Sequence, residues 1–182
     1  MALTLQSPHL LLRDFVAEDW REVYAYTSLP EACRFEPWGP YSAEEARALV
    51  QGRIEAAGVK PRTAFGLAVV SPKAGTVIGE GGLAIHSQSF RTAEISYIIH
   101  PQYWGHGFAT EVASTLLSFG FTTLNLHRIF ATCDPRNVAS EHVLQKLGMH
   151  YEGRMRETML LRDGWRDSVL YSLLEQEWIK LF

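Results

Sequence analysis

The sequence predicts a single α+β domain spanning residues 1–182, built on one mixed, mostly antiparallel, twisted sheet flanked by helices. Three observations predict it. Strand-like runs at 63–70, 77–86 and 92–100 follow one another directly, and connections this short suit antiparallel pairing. Two more runs, 149–161 and 165–174, flank Asp163-Gly164, a strong hairpin signal. Helical patterns are interspersed in the order β-α-α-β-β-β-α-β-α-β-β, which is not an alternating βαβ array.

Each element has a local reason. A short strand is expected at 9–15, and a helix at 17–28 with Trp20, Val23 and Tyr24 on one face. Pro30 to Pro40, with Pro37 and Gly39 inside it, reads as a loop. Ser42-Ala43-Glu44-Glu45 is a capping box that opens a helix, with Ala46, Leu49, Val50, Ile54 and Ala57 on one stripe and Gly58 placed to end it. After the three strands, a helix follows Gly107 with Phe108, Val112, Leu116, Leu117, Phe121 and Leu124 inward. A strand at 128–133 leads to Asn137, which can cap a helix running to Leu147 and closed by Gly148.

The composition is that of an ordinary globular protein, 47% hydrophobic and 20% charged. A formal net charge of -3 argues against a general nucleic-acid binder. Cys33 and Cys133 lack C-x-x-C spacing and read as free buried thiols of a reducing cytoplasm. No apolar run approaches the ~18 residues of a membrane span, and no secretory signal pattern is evident. None of the seven histidines stands in H-E-x-x-H or another ligand spacing, so no metal is expected. A monomer and a homodimer both remain open.

The chemistry concentrates where the run 94–100 meets Pro101 and the segment Gln102-Tyr103-Trp104-Gly105-His106-Gly107, immediately before a helix. Strand, glycine loop and helix together make a pyrophosphate cradle: the glycines let amides turn inward, and the helix N-terminus adds unpaired N–H groups and partial positive charge. A bare G-x-G is also compatible with an ordinary loop. The P-loop pattern G-x-x-x-x-G-K-[ST] is absent, and a dinucleotide fingerprint fails because Thr110 stands at its third glycine and the preceding strands read as antiparallel.

These residues resemble the Q/R-x-x-G-x-G/A signature of the GNAT superfamily of N-acetyltransferases. The resemblance runs from Leu10–Asp14 through Trp38-Gly39-Pro40 to the segment 170–174. At 98–111, His127-Arg128-Ile129, Asn137–Ser140 and 144–149 it is similar to the RimJ/RimL branch, which includes enzymes acetylating N-terminal amines of ribosomal proteins. It implies acetyl-CoA as co-substrate. The backbone of Ile98, Ile99 and His100 would pair with the pantetheine; the amides of Gly105, His106, Gly107 and Ala109, with the Thr110 hydroxyl, would hold the pyrophosphate. Asn137 would contact the pantetheine arm, or serve as a plain helix cap. The implied acceptor is a primary amine, most directly a protein N-terminus. A small-molecule amine and a non-catalytic acyl-CoA-binding module are the alternatives.

Acyl transfer to an amine needs the amine neutral, the oxyanion stabilised and the thiolate protonated or hydrogen-bonded. Glu94, on the strand face shared with Ser96 and Ile98, is the candidate base, its alternative being a solvated strand-end carboxylate. The tyrosine that many family members carry seven residues after the asparagine is replaced by Leu144, so Ser140 is the candidate donor to sulfur, or a second cap; Tyr151 and Tyr171 remain as donors. The amide of Ile98 or Ile99 would face the oxyanion. An acceptor pocket is expected from residues 35–41, His86 and the Asp163-Gly164 hairpin, with Trp38 and Trp104 as aromatic walls and Glu36 drawing a cationic amine.

Overall fold

The computed structural model describes residues 2–181. The expected sheet is present with eight strands in the spatial order β1-β2-β3-β4-β5-β6-β8-β7. They are β1 (Thr4–Gln6), β2 (Leu11–Arg13), β3 (Ala64–Ser71), β4 (Thr76–Ser87), β5 (Thr92–Ile99), β6 (Arg128–Cys133), β7 (His150–Leu161) and β8 (Gly164–Leu174). The helices are α1 (Trp20–Thr27), α2 (Ala43–Gly58), α3 (Phe108–Ser118), α4 (Val138–Lys146) and α5 (Glu175–Leu181). Every neighbouring pair is antiparallel except β5 and β6.

That exception shapes the molecule. β5 and β6 pair only where Thr92, Ala93 and Glu94 face Arg128, Ile129 and Phe130. Beyond Glu94, β5 stays with β4 as far as Ile99, while β6 stays with β8 as far as Cys133. The sheet therefore opens as a V, with a five-strand half (β1–β5) on one arm and β6, β8 and β7 on the other.

Two apolar layers cover the sheet. One face carries Phe15, Val23, Tyr26, Ala46 and Val50 from α1, α2 and the chain before them, against Ala68 and Val77. The other carries Val112, Leu116 and Leu117 of α3 and Leu144 of α4, against Leu83, Ile95, Ile129 and Leu173. The capping box of α2 forms as expected, with Glu45 N–H donating to Ser42 Oγ at 3.2 Å and Ser42 N–H to Glu45 Oε2 at 2.7 Å. Gly148 closes α4 with φ +73°.

Several expectations need correction. The inward face of α1 is Val23, Tyr26 and Thr27, with Trp20 packed against it as expected, and Tyr24 is exposed; a 3₁₀ turn at Ala17–Asp19 precedes the helix. The strand expected at 9–15 shrinks to Leu11–Arg13 and gains a partner, β1, that its three residues do not announce. Helix α3 ends in a π-helical turn at Phe119–Thr123, leaving Leu124 half-buried. The chain also finishes in α5, where the Trp178 ring stacks on Phe121 with centroids 5.8 Å apart.

Candidate active site

The mouth of the V is lined by backbone. Glycines at 105 and 107 adopt φ +78° and +80°, a left-handed conformation that would strain any other residue. The turn they make points the chain's amides into the open. Among the described residues no acceptor within the chain takes the N–H of residues 105 to 110, and the first helical bond of α3 is Glu111 N–H to Gly107 O at 3.0 Å. Six successive free donors at a helix N-terminus fit a pyrophosphate. Gly105, His106, Gly107, Ala109 and Thr110 are all among these amides, and no hydrogen bond from the described residues occupies the Thr110 hydroxyl. The His106 ring folds back on its own loop, with Nδ1 2.9 Å from Trp104 O and the ring stacked on Phe108, so its outward contribution is the amide.

Strand parity corrects part of the pantetheine expectation. Along an antiparallel strand, alternate residues send both backbone groups to the same neighbour. His100 N–H donates to Ile78 O at 2.8 Å, so His100, Ile98 and Ser96 direct their backbones toward β4. Residues Tyr97 and Ile99 face the V instead. Trp104 takes one of these groups, its indole N–H donating to Ile99 O at 2.7 Å. The groups left for a ligand are the N–H of Ile99 and both backbone groups of Tyr97. Ile98 and His100 do not present theirs, and of the two amides expected to face an oxyanion only that of Ile99 does. Trp104 is thus an anchor of the glycine loop and does not line the acceptor cavity.

Across the V, the Asn137 side chain accepts the amide of Ser140 at 3.2 Å and caps α4. That leaves the Ser140 hydroxyl free of capping. Its Oγ sits 3.0 Å from Tyr97 Oη and also hydrogen-bonds the Cys133 thiol. Burial pushes the Cys133 thiol up to about 11, leaving it almost wholly protonated at neutral pH and a poor nucleophile. Burial likewise raises the Tyr97 phenol, so it keeps its proton as a donor. Tyr97, Ser140 and Cys133 form a chain of protonated donors spanning the floor of the V, and Tyr97 is a member that sequence reading missed. Tyr171 is spent elsewhere, donating to Glu141 Oε1, and Tyr151 is exposed beside it.

The opposite face of the V holds carboxylates. Glu94 stands at the closed foot, where Oε2 lies 3.2 Å from His86 Nε2 and Oε1 accepts from Thr132 Oγ1 at 3.1 Å. It remains about one-third exposed. Further up, a cavity of about 160 Å³ is lined by Glu36, Trp38, Tyr41, Glu80, Ser96 and Ile98, among others. Glu80 is the cross-strand partner of Ile98 and is buried. Arg53 Nε lies 2.6 Å from Glu80 Oε1, a charge contact that is not aligned as a hydrogen bond. Burial raises the Glu80 carboxyl above its ordinary range against the pull of Arg53. Sequence reading missed Glu80, although a lone carboxylate in the apolar, glycine-rich run 77–85 was a usable signal. Burial also raises Glu36, with Arg166 and a hydrogen bond from Trp38 opposing it.

The loop before α2 is clasped from the far arm of the V. Arg162 donates to Cys33 O at 3.3 Å and to Trp38 O at 2.7 Å, and Arg136 bridges Asp134 and Asp163 while lying over Phe35. Of the expected acceptor residues, Glu36, Trp38 and Tyr41 do line the cavity. His86 stays with Glu94 at the foot, and the Asp163-Gly164 tip holds Arg136 instead of lining the pocket. Among the described residues no group of three or more His, Cys, Asp or Glu could hold a metal ion, and no helix is long and apolar enough to cross a membrane.

The comparisons fit this geometry. Residues 9–150 match the family model described as "Acetyltransferase (GNAT) domain". The chain is 34% identical over 176 residues to the uncharacterized N-acetyltransferase YnaD of Bacillus subtilis (strain 168), covering 96% of this chain and 98% of that one. It is 27% identical over 149 residues to the [ribosomal protein uS5]-alanine N-acetyltransferase of Escherichia coli (strain K12), covering 79% and 76% of the two chains. To the spermidine N(1)-acetyltransferase of that organism it is 30% identical over 89 residues, 49% and 48% of the chains. A solved acetyltransferase (GNAT family) from Bacillus anthracis superposes with TM-score 0.86 at 29% identity, over 96% of this chain and 100% of that one. The chain belongs to the GNAT acetyltransferase family, whose members use acetyl-CoA, and is an N-acetyltransferase.

Proposed function

We propose that the protein moves the acetyl group of acetyl-CoA directly onto a primary amine in a ternary complex, with the α-amine of a protein N-terminus as the leading acceptor. The observation that carries this reading is the V: its mouth offers six unpartnered amides for a pyrophosphate, and its far face opens on a carboxylate-lined cavity. Acetyl-CoA supplies the acetyl group as an activated thioester. The chain's own residues supply the rest. The Ile99 N–H faces the position of the developing oxyanion. The cavity behind Glu36, Trp38 and Tyr41 admits an amine-bearing head about the size of one residue. Glu94, partly exposed and paired with His86 and Thr132 at the foot of the V, takes the amine's proton through water. The Ser140 hydroxyl, backed by Tyr97, hydrogen-bonds the departing sulfur. With Cys133 held as a thiol, no acyl-enzyme forms.

A small-molecule amine is the second reading, favoured by the small size of the cavity, about 160 Å³, and by the partial likeness to a spermidine acetyltransferase. Release of free CoA thiol across N-terminal peptides, polyamines and aminoglycosides separates the two. Thermal shift with acetyl-CoA against NAD and ATP tests the cofactor site, and equal shifts for all three would sink it. Tight acetyl-CoA binding with no turnover on any amine would leave an acyl-CoA-binding module.

A further inference from the structure

The acceptor face of the sheet holds a cation that no carboxylate among the described residues pairs with at salt-bridge distance. Arg166, on β8, is 8% exposed, and its Nε and Nη1 are buried without a hydrogen-bond partner. Its one hydrogen bond is from Nη2 to the Met159 sulfur at 3.1 Å, a weak acceptor. Every other arginine near the site is committed: Arg53 to Glu80, Arg136 to Asp134 and Asp163, Arg162 to the carbonyls of Cys33 and Trp38. Strand register sets Arg166 on the same face as Ser168, Leu170 and Thr132, on the far arm of the V and three residues past Val169, where β8 stops pairing with β6. Its charge is felt at Glu36, which lines the cavity and is itself free of any cation at salt-bridge distance. A buried guanidinium is costly unless an anion takes its fork of donors. Arg166 is also within electrostatic reach of the buried Asp134, but that carboxylate is held by Arg136, and Glu36 takes its hydrogen bond from Trp38, so among the described residues neither Arg166 nor Glu36 has a salt-bridge partner.

We propose that Arg166 is an anion subsite of the acceptor pocket, and that the acceptor carries a carboxylate within about one residue's reach of the amine that is acetylated. This rests on the transfer reading above and narrows its acceptor. Two sources present that chemistry: a free amino acid, and a peptide whose first residue is Asp or Glu. The test is calorimetry on CoA-saturated protein with matched pairs, alanine against alaninamide and Asp-Ala-Ala-amide against Asn-Ala-Ala-amide, with spermidine as a carboxylate-free cation. Each carboxylate form is expected to bind about tenfold or more tightly than its amide, the better of the two pairs identifying the source. The preference should vanish in Arg166→Met and partly survive in Arg166→Lys. Amides or spermidine binding as well as the carboxylates would overturn the proposal in wild-type protein alone, whatever the fate of the variants; so would a well-folded Arg166→Met that keeps the full preference. Acetyl transfer to all the amines without a carboxylate preference sinks this inference and spares the transfer reading. A carboxylate preference without transfer to any amine does the reverse.

Discussion

The two sides of the V are built on different principles. The cofactor side runs through one continuous segment, from β5 through the glycine turn into α3, and offers almost nothing but main chain. The acceptor side is assembled from α1, the loop before α2, α2 itself, β4 and the β7–β8 hairpin, and it offers side chains: Glu36, Trp38, Tyr41, Arg53 and Glu80 line the cavity, with Arg166 in electrostatic reach of Glu36. A backbone site depends on conformation and tolerates changes of side chain. A side-chain site depends on residues that meet only in three dimensions, so one substitution can change what it takes. On the proposed function, acetyl-CoA would be held by the first kind of construction and the amine by the second.

The comparison is most exposed at Gly79, outside the cofactor segment yet packed against it. A Cβ there would lie 2.1 Å from Ile98 O, and backbone cannot move aside cheaply. Gly79→Ala should shift β5, lower the melting temperature and remove most of the stabilisation by acetyl-CoA in a thermal-shift titration. An undiminished ligand shift would mean the cofactor site does not depend on strand position. Glu94→Gln comes next. General-base loss costs up to about 10²–10⁴-fold, and an α-amine with pKa near ~7.7–8.0 places this case at the low end. The rate deficit should shrink as pH rises from 6 to 9 and the amine sheds its proton unaided; full activity across that range would remove Glu94 as base.

Tyr97→Phe is expected to be milder. It deletes the 3.0 Å bond to Ser140 without touching the strand backbone, so kcat should fall several-fold with KM for acetyl-CoA nearly unchanged, a loss of the size of one hydrogen bond. If Ser140→Ala adds its full effect on top, the two hydroxyls do not act as a unit. The smallest effect lies outside both sides. Arg128, and after it Ser172, hold the Glu152 carboxyl down at about 2. Folded-state pKa below the unfolded value means stabilisation that is complete above pH ~4.5 and lost as pH falls toward 2. Glu152→Gln should flatten the decline of melting temperature over that window while leaving cofactor and acceptor binding unchanged.

The same asymmetry decides what could be read from the sequence. Helix caps at Ser42 and Asn137, the stop at Gly148 and the glycine turn are local signals, and each stands where its residues put it. The V itself was accessible only by family resemblance, because no periodicity says where two parallel strands cease to pair. Parity along β5 then reassigned the backbone donors from Ile98 and His100 to Tyr97 and Ile99, a distinction that needs the position of Ile78. Arg53 and Glu80 lie 27 positions apart and Glu36 and Arg166 lie 130 apart, and only packing brings each pair together. Strand β1 is too short to register as a pattern, and α5 depends on Trp178 meeting Phe121 from the other end of the domain.

The grip of Arg162 bears on how such a protein drifts over generations. It holds the loop before α2 by two carbonyl oxygens, of Cys33 and Trp38, which every amino acid possesses. Mutations at Glu36 and Trp38 can therefore replace what faces the pocket without unmooring the segment that carries them. A lineage can try new acceptors one codon at a time, from a loop already in place.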